Sequence, residues 1–292
     1  MIRYLKRNEI DTEKYDSCIE KSFNSRIYAY SWYLDIVADN WDILVLNDYE
    51  AVMPLPWRQK YFIKYIYPPA WTQQLGVFAI KETSEELILK FIKAIPRKFK
   101  KITIQFNSEN KFNYKKLTER VNYILPLDKP YEEILKGFNN NRKRDLRKAQ
   151  YFNEEINETI SRDEFLQFFL KVEKKYNLLD NQVSTLKYLL NIEHVKINGV
   201  KENGELIAAL VWLKDKNRIT YLLPVSTKKS KEKGFPTLLV SNIIEKHQNC
   251  NLMLDFEGSM IKGVADFYKS FGSRIENYFL YSKFTKGNYL NF

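Results

Sequence analysis

The chain has 292 residues, 45% of them hydrophobic and 28% charged, which gives room for about two domains of ~150 residues and excludes a disordered chain. Lys and Arg total 47 against 36 acidic residues, a net charge of +11 that suits an anionic partner. Of those 47, 35 are Lys, and Asn, Tyr, Phe and Ile are also abundant; an AT-rich genome encodes that mixture, so charge alone assigns no partner. The longest uncharged run, Tyr65 to Ile80, carries Pro68, Pro69 and Gly76 and is shorter than the ~20 apolar residues of a spanning helix. No apolar stretch follows Met1, so a cytoplasmic location is expected.

In chain order, Tyr15 to Phe23 and Tyr30 to Ala38 have helical patterns, and Asp42 to Leu46 and Ala51 to Trp57 have strand patterns around an Asn47-Asp48-Tyr49-Glu50 turn. Tyr61 to Tyr67 and Leu75 to Ile80 extend the sheet around the Pro-Pro break. Ser84 caps a helix that runs to Ile95, with Glu85 and Glu86 in its first turn. Strands are expected at Lys101 to Phe106 and Val121 to Leu127. One long basic helix is expected from Tyr131 to Gln150, then helices at Asp163 to Tyr176 and Thr185 to Leu190.

The order then recurs. Val195 to Lys201, Leu206 to Leu213 and Arg218 to Val225 are strands, and Ser226 to Gly234 is a polar loop. A helix from Pro236 or Thr237 to His247 follows, then a buried strand Leu252 to Phe256, a short helix Val264 to Phe271 and a last strand Ile275 to Phe284. The repeated order suggests a duplication with its boundary at Lys129–Pro130, hence domains 1–129 and 130–292.

Several chemistries lack their parts. His194 and His247 have no neighbouring His or Cys at a metal-ligand spacing, so no metal is expected. Neither a P-loop, nor a G-x-G-x-x-G, nor a G-x-S-x-G elbow occurs. Cys18 and Cys250 are too far apart in sequence for a disulfide framework and are expected to be inert thiols.

The residues that remain informative are three groups. Asp255 and Glu257 share one face of the Leu252–Phe256 strand by period two, next to Gly258. Such acids either line a cleft or are solvated charges. Asn141-Arg142-Lys143-Arg144-Asp145-Leu146-Arg147-Lys148 is a basic helical segment, with Arg142 and Arg144 suited to phosphate through their planar donor forks. Trp57, Arg58, Tyr67, Trp71, Gln73 and Gln74 surround the Pro-Pro turn and either frame an acceptor or form an aromatic corner.

Leu254-Asp255-Phe256-Glu257-Gly258-Ser259, followed by Ala265-Asp266-Phe267-Tyr268-Lys269-Ser270-Phe271-Gly272, resembles the closing motif of the Fem-like acyltransferases of the GNAT superfamily. The Asn141–Ala149 segment resembles the signature between that family's two domains. The resemblance implies an α/β (α+β) fold of two tandem GNAT-like domains, each a mixed, mostly antiparallel twisted sheet flanked by helices. It also implies transfer of an acyl or aminoacyl group to an amine by direct attack. Such a reaction needs a proton acceptor, donors to a tetrahedral oxyanion, and a grip on the donor's phosphates.

By this resemblance Asp255 or Glu257 accepts the proton, and Lys269 or its neighbour Tyr268 stabilises charge. Arg142 and Arg144 hold phosphate together with the Lys231–Thr237 loop, which departs from the GNAT acyl-CoA signature: Lys231 stands at its first position in place of Gln or Arg, Gly234 matches, and Pro236 replaces its last small residue. No tightly bound cofactor is implied. The donor substrate is acyl-CoA or aminoacyl-tRNA, with tRNA a partner in the second case, and the acceptor is a small molecule or a cell-envelope precursor. A different class stays open: an inactive GNAT-like protein that binds a nucleotide-sugar or nucleic acid.

Overall fold

The computed structural model describes every residue except 116, 153–154, 173–177 and 285–292. The chain divides into two compact units, Met1–Arg120 together with the segment from Asn277, and Val121–Glu276. These differ from the expected spans 1–129 and 130–292, because strand pairing rather than chain position assigns the ends. Leu125 pairs with Leu254 inside the second unit, and Leu280 pairs with Gln105 inside the first.

The first unit opens with a strand that the sequence pattern missed, β1 (Ile2–Leu5), then α1 (Thr12–Lys21), α2 (Ser31–Val37), β2 (Trp41–Leu46) and β3 (Ala51–Lys60). Asp11 caps α1 by accepting from the Lys14 amide. Tyr61 and Phe62 form a turn rather than strand, so β4 covers only Ile63–Ile66, and β5 (Phe78–Ala79) is shorter than its apolar run. The α3 helix (Glu85–Ala94) starts at the expected cap, where Ser84 accepts from the Leu87 amide, and β6 (Phe99–Phe106) follows. The sheet order is β1-β2-β3-β4-β6, with β4 and β6 parallel and β5 against β3. Met53, Leu55, Ile66, Ile88, Phe91, Phe99 and Phe106 close its core.

After β7 (Leu117–Pro126) comes a further departure. The expected helix from Tyr131 to Gln150 is two helices, α4 (Tyr131–Lys136) and α5 (Asn140–Tyr151), because Gly137 ends the first and the Asn139 side chain caps the second. Beyond β8 (Ile156–Asn157), α6 (Arg162–Val172) starts where expected, while its expected end at Tyr176 lies outside the described residues. Then come α7 (Asp180–Leu189), β9 (Val195–Glu202), β10 (Glu205–Lys214) and β11 (Arg218–Ser226). The expected polar loop contains a short helix, α8 (Lys228–Glu232), capped by Thr227. After it run α9 (Phe235–Lys246), β12 (Met253–Asp255), α10 (Lys262–Lys269) and β13 (Arg274–Phe284). From Asn277 on, β13 is part of the first unit, where it pairs antiparallel with β6.

The second unit's sheet runs β7-β12-β11-β10-β9-β8, antiparallel except for β11 with β12. Its centre, β10, is an unbroken apolar run buried from Leu206 to Leu213, as a strand covered on both faces must be. Phe235, Leu239 and Ile243 of α9 join Leu210, Leu254, Phe256 and Phe271 in the core. No helix among the described residues is long and apolar enough to cross a membrane.

Glycines of the closing motif are set by close approach. A Cβ on Gly258 would sit 1.6 Å from the Val121 carbonyl oxygen, and one on Gly272 would sit 2.9 Å from that of Gly137. Gly258→Ala is therefore expected to destabilise by about 3 kcal/mol, read as a fall in the urea midpoint. Burial pushes the Cys18 thiol up to about 11, whereas Cys250 is exposed. A thiol reagent at pH 8 should label Cys250 at once and Cys18 only after unfolding.

Candidate functional site

Between β11 and β12 the parallel pairing covers only three residues on each strand, Arg218 to Thr220 against Met253 to Asp255. Beyond Asp255 the chain leaves β11. The Phe256 amide donates to the Tyr123 carbonyl on β7 (2.9 Å), and Glu257 adopts a left-handed backbone (φ 52°). The rest of β11 keeps β10 on one side and has no ladder partner on the other among the described residues. A cavity of about 380 Å³ lies there, within the range of small-ligand sites. Tyr221, Pro224 and Ser226 come from β11, Arg142 and Asp145 from α5, and Lys231 from α8. Gly234, Pro236 and Thr237 belong to the start of α9, and Gly263, Val264, Phe267 and Tyr268 to α10.

Arg142 organises this cavity. One guanidinium nitrogen donates to the Thr237 hydroxyl (2.6 Å), another pairs with Asp145 (2.8 Å), and the group lies 4.8 Å from the Phe267 ring centroid. Its Nε is buried and has no hydrogen-bond partner. Burial lowers its pKa, with Asp145 opposing; a guanidinium keeps its proton regardless, so the cavity holds a fixed cation. The i, i+3 spacing puts Arg142 and Asp145 on one face of α5, while Arg144 turns outward with its side chain 69% exposed.

Gly234 brings α9 to this face. It caps the helix at φ 82°, and a Cβ there would lie 2.2 Å from the Asp145 carbonyl oxygen. The helix start itself offers few backbone donors. Pro236 has no N–H, and the amides of Thr237 and Leu238 both donate to the Gly234 carbonyl. The polar side chains at this end of the cavity are Arg142, Lys231 and the Thr237 hydroxyl.

Five expected residues thus meet in one cavity: Arg142, Lys231, Gly234, Thr237 and Tyr268. Tyr268 is buried and stacks on Phe256 (5.1 Å between centroids). Lys269, one residue on, is exposed, with its amine 5.7 Å from the Tyr123 ring. A step of one residue on a helix turns a side chain by about 100°, which separates the two.

Asp255 lies outside the cavity lining and is buried in an ion cluster. Its Oδ2 accepts from Arg218 (2.8 Å), and its Oδ1 accepts from the Asn122 amide group (2.9 Å) and from the Glu257 backbone N–H (3.0 Å). Arg218 also donates to Glu276 in bidentate fashion, at 2.7 and 2.9 Å. Although desolvation opposes it, the two carboxylates raise the Arg218 pKa well above its ordinary value. With both oxygens occupied by fixed donors, Asp255 holds the base of β11 and β12 together instead of facing a substrate. The period-two pairing with Glu257 also fails, because β12 ends at Asp255 and the left-handed turn reorients the next residues.

In the first unit the Pro-Pro loop is a packed corner. Arg58 pairs with Asp39 (2.7 Å) and lies 4.2 Å from the Tyr67 ring, Gln74 is buried against Gln73 (2.7 Å), and the Trp71 carbonyl accepts from the Tyr33 hydroxyl. Trp57 packs under the Lys64 amine (4.6 Å). Tyr67 and Gln73 border a void of only about 10 Å³, room for no more than about one water. The sequence reading missed Asp145, Tyr221, Ser226 and Phe267. For Asp145 a signal was present, since it is the only acid in the basic run, three residues after Arg142.

No family model and no curated protein matches the sequence. Solved structures do match in fold. FemX superposes with a TM-score of 0.68 at 11% identity, over 95% of this chain and 96% of that one. The C-terminal domain of a putative lysylphosphatidylglycerol synthetase from Agrobacterium fabrum gives 0.60 at 9%, over 92% and 90%. The L-PGS structure from Bacillus licheniformis gives 0.55 at 11%, over 92% and 90%. The chain thus has the mixed α/β, Fem-type fold that its motifs led us to expect.

Removing Asp255 would leave Arg218 and Asn122 with unmet buried donors. Asp255→Ala should cost about 3–5 kcal/mol of stability, measured by urea unfolding, and bring the melting transition down accordingly.

Proposed function

We propose that the protein transfers an acyl or aminoacyl group from an activated donor to an amine, with the donor bound in the β11–β12 cavity. The observation that carries this reading is the partly buried Arg142 guanidinium, fixed between Asp145 and Thr237 where the two strands part. Its neighbours in fold bear the names FemX and lysylphosphatidylglycerol synthetase, the second naming an aminoacylated product. That likeness supports the class of reaction, and the chemistry is argued from the lining residues.

Arg142, Lys231 and Thr237 bind the donor's phosphate or ribose-phosphate oxygens, a task for charge-assisted side-chain donors since the α9 start supplies few amides. Phe267 and Tyr268 give an apolar face for the acyl or aminoacyl group. During attack the amine must lose a proton, and Asp145 is the single carboxylate among the lining residues described, so we assign proton acceptance to it. Negative charge on the tetrahedral oxygen develops beside Tyr268. Collapse of this intermediate breaks the carbonyl bond to the CoA sulfur or the tRNA ribose oxygen, which leaves with the proton taken from the amine. The acceptor is an amine on a small molecule or on a cell-envelope precursor.

The test offers purified protein either labelled acetyl-CoA or tRNA charged with a labelled amino acid, together with a panel of amines. Transfer from one of the two donors is expected. Arg142→Ala should lower kcat/KM by about 10- to 100-fold, the worth of hydrogen bonds to a charged group, with Arg142→Lys intermediate and Lys269→Ala unchanged. Equal binding of charged and uncharged tRNA with no transfer, or full turnover by Arg142→Ala, would overturn the reading in favour of a binding protein.

A further inference from the structure

The turn between β3 and β4 runs against the usual chemistry of such turns. Lys60 pairs with Ile63 across a two-residue loop, and both loop residues, Tyr61 and Phe62, have positive φ (46° and 64°). Two-residue hairpins with both central residues left-handed normally carry Asn-Gly, Asp-Gly or Gly-Gly, because a large side chain strains that backbone. Here two aromatic residues occupy it and are left in solvent. Tyr61 is 83% exposed, Phe62 95% and Ile63 44%. Three consecutive exposed apolar residues at a strained tip gain nothing for the fold: they bury little surface and disfavour the turn they form.

Cations surround this tip. Between Glu50 and Glu82 the chain has no acidic residue, while Lys60 and Lys64 flank the turn on its two strands. On the neighbouring parallel strand Phe99 pairs with Lys64 and Lys101 with Tyr65, which adds Lys100 and Lys101 along β4 just behind the tip. The acids of adjoining segments are already engaged, Asp39 by Arg58 and Asp42 by Lys98. An apolar wedge framed by lysines fits the boundary of an anionic bilayer, where the rings enter the headgroup region and the ammonium groups stay with the phosphates.

We infer that the Tyr61-Phe62-Ile63 tip is a membrane-docking wedge that seats the protein on anionic lipid. Base stacking of single-stranded RNA would use the same aromatic and cationic residue types, but the apolar tip continues into aliphatic Ile63, which has no ring to stack. This inference does not depend on the transfer reaction.

The test is cosedimentation with vesicles of pure phosphatidylcholine and with vesicles of equimolar phosphatidylcholine and phosphatidylglycerol. The native chain should sediment with the anionic vesicles only, less so as salt rises. Tyr61→Asn with Phe62→Gly keeps the turn and removes the wedge. This variant should lose vesicle affinity by about tenfold or more while its Tm rises by about 2–4 °C. Lys60→Glu with Lys64→Glu should lose the preference for anionic vesicles. The same proteins are titrated with a fluorescent single-stranded RNA. Native protein that ignores anionic vesicles, a double turn variant that binds them unchanged, or a turn variant that loses RNA and not lipid would each overturn the proposal.

Discussion

A parallel strand pair that is hydrogen-bonded at one end and open at the other needs its closed end held firmly, because each lost ladder bond leaves backbone groups to be satisfied elsewhere. Arg218 and Asp255 do this at the foot of β11 and β12, with Glu276 and Asn122 completing their hydrogen bonds. Burying these charges is costly, and a well-packed apolar cluster would hold two strands as well. What the ions add is direction. A bidentate arginine and a carboxylate with three donors fix both strands in one register, and the chain beyond Asp255 is then steered to β7 by the Phe256 amide. The gap above this clamp is the cavity.

Above the gap, the same logic of close approach positions the cation. Gly234 lets the start of α9 touch the α5 backbone at Asp145, so Arg142 can reach Thr237 while staying paired to Asp145. A guanidinium fixed on two sides and resting on Phe267 loses little further freedom when an anion arrives, which is how a preorganised site favours charge that develops during a reaction. In the proposed reading side-chain charge carries this duty because the α9 start has few backbone donors.

Much of the second unit was legible in advance. The apolar run of β10, the period of α9 and the glycines of the closing motif each report a local requirement. Arg142, Lys231, Gly234, Thr237 and Tyr268 came among the candidates through the basic segment and the motif resemblance instead. Asp255 and Glu257 illustrate the limit. An acid at a strand end has the same sequence signature whether it faces solvent, substrate or a buried arginine. The Tyr61–Tyr67 segment shows another: its apolar β-forming residues hide a turn that no glycine or asparagine announces.

By itself the sequence determined where some elements start, through caps such as Ser84, and which positions on most of them are apolar. It did not announce the turn at Tyr61 and Phe62, whose residue types read as strand. Only tertiary structure decided which of these elements meet: Arg218 with an acid 37 residues away, and Arg142 with a hydroxyl 95 residues away. The reason is physical. Periodicity and capping are settled within a few residues of chain, whereas the partner of a buried charge is chosen by how whole helices and strands pack, and that choice leaves no mark on the spacing of the residues that make it.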